Sequence, residues 1–126
     1  MLRTMLGLFL LLGTSAHAGN CVPPAKAMAR TELFFGAGKV SDAQWKQFLA
    51  REVTPRFTDG LTAVDGYGQW KSPNGAIAKE RSRVLILVHS EDATSDRRIE
   101  AIRAIYKRQF RQLSVMRVDG EDCVSF

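Results

Sequence analysis

Apolar and polar residues follow one another along this chain with the periods of strands and helices. Residues 30–35 predict a strand that becomes apolar and aromatic toward its end, where Gly36-Ala37-Gly38 closes it. A helix is predicted next, because Ser41 and Gln44 have the spacing of a capping box, and Val40 and Trp45 that of a hydrophobic staple. Apolar residues then recur at helical spacing up to Pro55, which marks the end of this helix: Trp45, Phe48, Leu49 and Val53.

The second half of the chain predicts two strands, a helix and a last strand. Residues 61–71 indicate a strand in which Gly66 and Gly68 favour a bulge or a close backbone approach. Residues 82–89 indicate another strand, whose uninterrupted aliphatic run over 84–88 is typical of a central strand. A helix that begins near Ser95 has one apolar stripe, formed by Ile99, Ile102, Tyr106, Phe110 and Leu113. Residues 115–118 predict the last strand.

The predicted order is therefore β-α-β-β-α-β. This order is the split βαβ arrangement of ferredoxin-like folds, an α+β sandwich of two layers with a four-stranded antiparallel sheet. In that topology the first and last strands are antiparallel neighbours. The start of the first strand and the end of the last are then expected to lie side by side.

The N-terminal segment has the pattern of an export signal. Arg3 precedes an apolar stretch that ends in Ser15-Ala16-His17-Ala18, with small residues where a signal peptidase cleaves. We expect a signal peptide over residues 1–18, a lead-in over 19–28 and a single domain over 29–126. The apolar stretch is well short of the roughly 20 residues that span a bilayer, so no membrane span is expected. The predicted location is periplasmic or secreted.

Two cysteines, Cys21 and Cys123, bracket nearly all of the chain that would follow this signal. Lipidation of Cys21 is disfavoured, because Asn20 occupies the position at which lipoprotein processing needs a small residue. A lipid on Cys21 would also leave the thiol of Cys123 without a disulfide partner. A Cys21–Cys123 disulfide uses both thiols in an oxidising compartment. It also agrees with the predicted neighbourhood of the first and last strands.

Several sequence blocks resemble a family of exported bacterial proteins known only as a domain of unknown function, small α+β proteins that are secreted or lipoprotein-like. The resemblance covers nearly all of the chain after the leader, in eight blocks: 31–36, Trp45 with Phe48, 52–57, 59–62, 68–70, 80–82, 106–107 and 114–117. The family brings no established activity that could be carried over to particular residues.

Composition and motifs exclude several kinds of chemistry. The net charge of +5 becomes +4 once Arg3 is removed with the leader, which is not in itself evidence for a nucleic-acid partner, and none is expected. After the leader the chain has one histidine, His89, and the two cysteines already paired, so no metal site is predicted. No cofactor is predicted either, since the phosphate-cradling and dinucleotide fingerprints are missing.

The sheet face away from the helices is the remaining candidate site. If Leu33 and Phe35 face the helices, alternation sends Glu32 and Phe34 to the open face. On the central strand we expect Val84, Ile86 and Val88 to meet the helices. The open face would then receive Arg83, Leu85, Leu87 and His89.

Two functional hypotheses follow, and neither is decided by the sequence. The first is a non-enzymatic module that binds an unknown small ligand or protein through this face, with the candidate contacts Phe34, Tyr67, Gln69, Arg83, Arg117 and Arg56. The alternative is a small cofactor-free enzyme of the dimeric α/β-barrel type, with proton transfer between His89 and Glu32. The same face could also form a homodimer interface, or be an ordinary solvated surface whose charges pair with one another.

Overall fold

A computed structural model describes residues 20–126 of the chain. The predicted signal peptide, residues 1–18, lies outside the described residues. The elements in chain order are β1 (Lys26–Gly36), α1 (Asp42–Phe48), β2 (Thr62–Lys71), β3 (Ile77–His89), α2 (Ala93–Gln109) and β4 (Met116–Val124). A π-helical segment, Leu49–Val53, continues α1 directly. None of the helices in this part of the chain is long and apolar enough to cross a membrane.

The four strands form one antiparallel sheet in the order β2-β3-β1-β4. Both helices pack on one face of it, so the predicted two-layer ferredoxin-like fold is confirmed. The neighbours β1 and β4 bring Cys21 and Cys123 together, with their Cα atoms 5.4 Å apart, and the predicted disulfide between them is present. It joins residues separated by 102 positions.

The beginning of α1 shows the local signals that the sequence predicts. The Ser41 hydroxyl accepts a hydrogen bond from the Gln44 amide, and the Gln44 side chain accepts one from the Ser41 amide. Val40 and Trp45 are both buried, as a hydrophobic staple requires. These contacts fix the entry of the chain into α1 and place Trp45 over the sheet.

The core lies between the sheet and the helices and is largely aromatic. The Phe35 ring packs edge-on against Trp45 and Tyr106, with centroids 5.2 Å and 4.6 Å apart. Tyr106 is fully buried, and its hydroxyl donates a hydrogen bond to the Gly36 carbonyl at 2.7 Å. This bond ties the last turn of α2 to the end of β1.

The face assignment that the sequence suggested for β3 is wrong. Leu85 and Leu87 are 0% exposed beneath the helices, whereas Val84, Ile86 and Val88 lie on the opposite, partly exposed face. The register explains this, since Leu33 of β1 lies opposite Leu85 and Phe35 lies opposite Arg83, and cross-strand partners share a face. Arg83 can lie on the helix side despite its charge, because its guanidinium forms ion pairs with the carboxylates of Asp42 and Asp65.

Two further predictions also differ from the structure. The apolar stripe of α2 does not reach Leu113, which is 90% exposed, because the helix ends at Gln109 and Arg111 takes a positive φ of 53°. Gly66 makes no bulge, since β2 and β3 pair without interruption from Thr62 to Lys71. A Cβ at Gly66 would lie 2.6 Å from the Ser82 hydroxyl but 3.8 Å from the Ser82 carbonyl oxygen, so this glycine leaves room for a side chain of β3 rather than for a close backbone approach.

Candidate functional site

Apolar side chains form a continuous patch on the open face of the sheet. One row crosses all four strands, since the register pairs Val64 with Val84, Val84 with Phe34, and Phe34 with Met116. The next row adds Ile86 and Val118 on either side of Glu32. We call six residues the apolar patch: Phe34, Val64, Val84, Ile86, Met116 and Val118. Its members at the sheet edges are about half exposed, with Met116 at 55%.

The charged groups within this face neutralise one another. Glu32 pairs with Arg30, and the Arg30 guanidinium also donates from Nε to Asp122 at 2.6 Å. Such partly exposed pairs add little stability. Their effect here is that the centre of the open face presents apolar groups with little unpaired charge.

The structure divides the predicted site residues between the two faces of the sheet. Phe34 and Glu32 lie on the open face. Arg83, Arg117, Tyr67 and Gln69 are on the side that carries the helices, because their strand positions share the parity of Leu85 and Leu33. The predicted set therefore does not converge into one site.

Arg83 and Arg117 are held in ion pairs between the sheet and the helices. Arg83 is 5% exposed, binds the carboxylates of Asp42 and Asp65, and lies over the Trp45 ring with its Cζ atom 5.9 Å from the centroid. Its hydrogen bond, together with the charge of Arg81, holds the pKa of Asp42 below its usual value.

Arg117 makes the corresponding contacts at the other end of the helix layer, donating to Asp96 at 2.7 Å and to Glu100 at 2.8 Å. Both arginines thus have structural partners.

His89 is oriented by a chain of hydrogen bonds that starts at Asp119. The buried Thr31 hydroxyl donates to Asp119 at 2.7 Å and lies 2.9 Å from His89 Nε2, while His89 Nδ1 lies 2.8 Å from the Ser90 carbonyl. Both ring nitrogens therefore have partners inside the protein. Glu32 is on the opposite face of the sheet, so the predicted pairing of His89 with Glu32 does not occur.

A cavity of about 560 Å³ lies beside His89, at the end of β3. Its lining includes Arg56, which the sequence singled out, and also Phe57, Val88 and Arg98. We call it the β2–β3 cleft. Neither in this cleft nor in the rest of residues 20–126 is a group of three or more His, Cys, Asp or Glu side chains placed to hold a metal ion.

Sequence reasoning missed most of the apolar patch and the partners of His89. The alternation of Met116 and Val118 around Arg117 was an available signal for the patch, as was Val64 in β2. No local signal connects Thr31 with His89 and Asp119, which are 58 and 88 positions away from it. Their contact depends on the pairing of β1 with both β3 and β4.

The fold and its surfaces define a small disulfide-linked α+β protein of the ferredoxin-like class with an exposed apolar sheet face. The chain belongs to the family described as "Protein of unknown function (DUF3574)", whose model matches residues 30–126. No curated protein matches it in sequence.

Three solved structures show the same fold. A phage SAM lyase in complex with S-methyl-5'-thioadenosine has a TM-score of 0.63 at 17% identity, over 79% of this chain and 88% of that one. CutA from Synechococcus elongatus has a TM-score of 0.56 at 13% identity, over 80% and 82%. A putative PII-like signaling protein from Thermus thermophilus has a TM-score of 0.50 at 14% identity, over 79% and 91%.

Proposed function

We propose that this protein is an exported, non-enzymatic binding module that associates with a second copy of itself through the open sheet face. The observation that carries the proposal is the apolar patch, which extends across all four strands around Phe34. Patches of this extent on a small soluble domain usually mark interaction sites, because burying them removes apolar surface from water.

The charge distribution favours a second copy as the partner. Without its leader the chain has a net charge of +4, so two copies repel each other unless their basic regions are kept apart. Exposed basic side chains of α2, among them Arg97 and Arg108, lie in the helix layer, on the far side of the sheet from the patch. Packing the two open faces together points these helices away from each other and joins two surfaces that are nearly neutral.

The size of the face is adequate for a stable contact. Four strands spaced about 4.8 Å apart are about 19 Å wide, and about nine residues of strand extend about 30 Å, which gives a planar area of about 570 Å². The accessible area of a surface with side-chain relief is larger than this planar value. It approaches the roughly 800 Å² per partner of standard protein interfaces.

Sedimentation equilibrium of the full chain, expressed with its leader so that processing and oxidation occur, tests the association. We expect the mass of a dimer for the wild type and of a monomer for Val84→Lys, because a lysine in the centre of the patch would be buried without a partner. Leu113→Lys is the matched control, since Leu113 is 90% exposed outside the patch, and should stay dimeric. Circular dichroism verifies that each variant is folded.

A monomeric wild type over the micromolar range would contradict the proposal. So would a dimer that Val84→Lys leaves intact, since its interface would then lie elsewhere.

The export part of the proposal rests on the leader pattern and is supported by the disulfide, a bond typical of oxidising compartments. Intact-mass analysis of protein recovered from the periplasm should give a chain that begins at Gly19 and is two hydrogens lighter than its reduced form. A chain that retains residues 1–18, or a diacylglyceryl group on Cys21, would contradict it.

Proton transfer between His89 and Glu32 is not proposed. The two side chains lie on opposite faces of the sheet, and both nitrogens of His89 are already hydrogen-bonded.

A further inference from the structure

We infer that the β2–β3 cleft binds a small organic anion with an apolar body. The cleft exists because the two strands differ in extent. β2 begins at Thr62, opposite Ile86, whereas β3 continues through His89 with no β2 residue beside it. The segment 56–61 curves around this free edge and leaves a space of about 560 Å³, within the roughly 300–1,000 Å³ of small-molecule sites.

The walls of the cleft are apolar on two sides. Met28, Ile86 and Val88 come from the end of the open sheet face. On the other side Phe57 is 8% exposed, and its ring centroid lies 5.7 Å from that of His89. A ligand with an aromatic or short aliphatic body could bury that body between these walls.

The loop that closes the cleft is anchored at both ends. Phe57 belongs to the core, Leu61 packs against it, and the backbone amides of Phe57 and Gly60 donate to the carbonyls of Val53 and Phe57. Gly60 takes a φ of 131°, which permits the turn between the two anchors. The cleft is thus formed without a ligand, which lowers the entropic cost of binding.

The two arginine side chains of the cleft, Arg56 and Arg98, have N–H donors that are not used in hydrogen bonds within the described residues. Arg56 donates from Nη1 to the carbonyl and the carboxylate of Glu52, at 2.6 and 2.9 Å. Within the described residues Nε and Nη2 of Arg56 make no such bond, and neither does the Arg98 guanidinium on α2. Guanidinium groups with free parallel N–H bonds are suited to carboxylates and phosphates.

Three carboxylates, those of Glu52, Asp59 and Asp92, lie near the two arginines, and Glu52 pairs with Arg56 through Nη1. Asp92 caps α2, where its side chain accepts a hydrogen bond from the Ser95 amide at 2.7 Å, and this bond, more than the charge of Arg98, holds the pKa of Asp92 below its usual value. Asp59 is exposed in the loop that closes the cleft. We therefore assign the anion to Arg56 and Arg98, and the apolar body of the ligand to the wall formed by Ile86, Val88 and Phe57.

Amide chemical-shift titration of the full-length oxidised protein with phenylacetate tests the inference. We expect saturable shifts in residues 56–62 and 86–92. The neutral isostere phenylacetamide and inorganic phosphate should each bind at least roughly tenfold more weakly, because the first lacks the charge and the second lacks the apolar body.

Arg56→Gln and Arg98→Gln should each weaken phenylacetate binding by roughly tenfold. Arg108→Gln, an exposed change outside the cleft, should leave binding within about twofold.

Absence of saturation would overturn the inference, as would equal binding of phenylacetamide or unchanged affinity in both cleft variants. Ile86 belongs to both the apolar patch and the cleft wall, but Arg56, Arg98 and Val84 each belong to only one of the two sites, so each substitution tests one proposal.

Discussion

The Thr31 side chain links three strands at one end of the sheet. It is fully buried among apolar neighbours, yet its hydroxyl oxygen contacts both His89 and Asp119. Burial raises the pKa of Asp119, but hydrogen bonds from Thr31 and Arg117 outweigh it and hold that pKa below the ordinary value. One hydroxyl therefore satisfies two polar groups on the two neighbouring strands.

Thr31→Val should destabilise the protein by about 1–3 kcal/mol, because it leaves His89 Nε2 and Asp119 short of a partner while it preserves shape. The free energy of unfolding in urea measures this. Thr58→Val, an exposed change of the same kind, should stay within about 0.5 kcal/mol of wild type. A Thr31→Val protein as stable as wild type would show that water replaces the hydroxyl without cost.

The Tyr106 hydroxyl is another polar group in the core, and burial raises its pKa to about 12, with the charge of Glu80 acting in the same direction. A raised pKa stabilises the folded state fully below the unfolded tyrosine pKa of about 10, and this contribution is lost as the pH rises toward about 12. We expect an alkaline absorbance step near pH 12 that the Tyr106→Phe variant lacks. A wild-type titration without that step would contradict the burial of the hydroxyl.

At the scale of elements, local and nonlocal determinants separate clearly. The start of α1 is encoded within a few residues, since Ser41 and Gln44 hydrogen-bond each other's backbone and Val40 packs near Trp45. β3 is the opposite case. Both of its faces are aliphatic, so its alternation defines two faces without indicating which one the helices cover.

Ser41→Ala should cost about 1 kcal/mol of stability, because it removes the acceptor for the Gln44 amide at the start of α1. Thermal unfolding followed by circular dichroism measures the change. Ser125→Ala, in the exposed tail, is the control and should leave the melting temperature unchanged. Equal effects of the two substitutions would show that the capping box does not stabilise α1.

At the scale of the whole molecule, the disulfide closes the chain. Cys21 lies just before β1 and Cys123 near the end of its neighbour β4, so the bond fits the strand order. It also restricts the conformations of the unfolded chain. The same sheet that it closes carries the apolar patch on one side and the aromatic core on the other.

Removing this bond with the double variant Cys21→Ser, Cys123→Ser should lower stability by about 4–5 kcal/mol if chain entropy dominates, since it closes a loop of 102 positions. Urea unfolding measures the loss, and reduced wild type should behave like the double variant. A loss below about 1 kcal/mol would show that the unfolded state remains compact without the bond.

Much of the fold could be predicted because its determinants are local. The capping box, the helical spacing of Trp45 and Phe48, and the uninterrupted aliphatic run of β3 each report on neighbours within a few positions. The strand order then followed from the element order, and Cys21 and Cys123 agreed with it. The element order, the strand neighbours and the disulfide were determined by the sequence itself.

The tertiary structure alone decided which face of β3 is buried and which residues meet. Arg83 is accommodated beneath the helices because Asp42 and Asp65, 41 and 18 positions away, supply carboxylates there. Leu85 and Leu87 are buried with it, and Val84 and Ile86 are left on the open face. The alternation of side chains along a strand contains no information about such distant partners. The candidate binding surfaces could therefore be located only from the pairing of the strands in the folded protein.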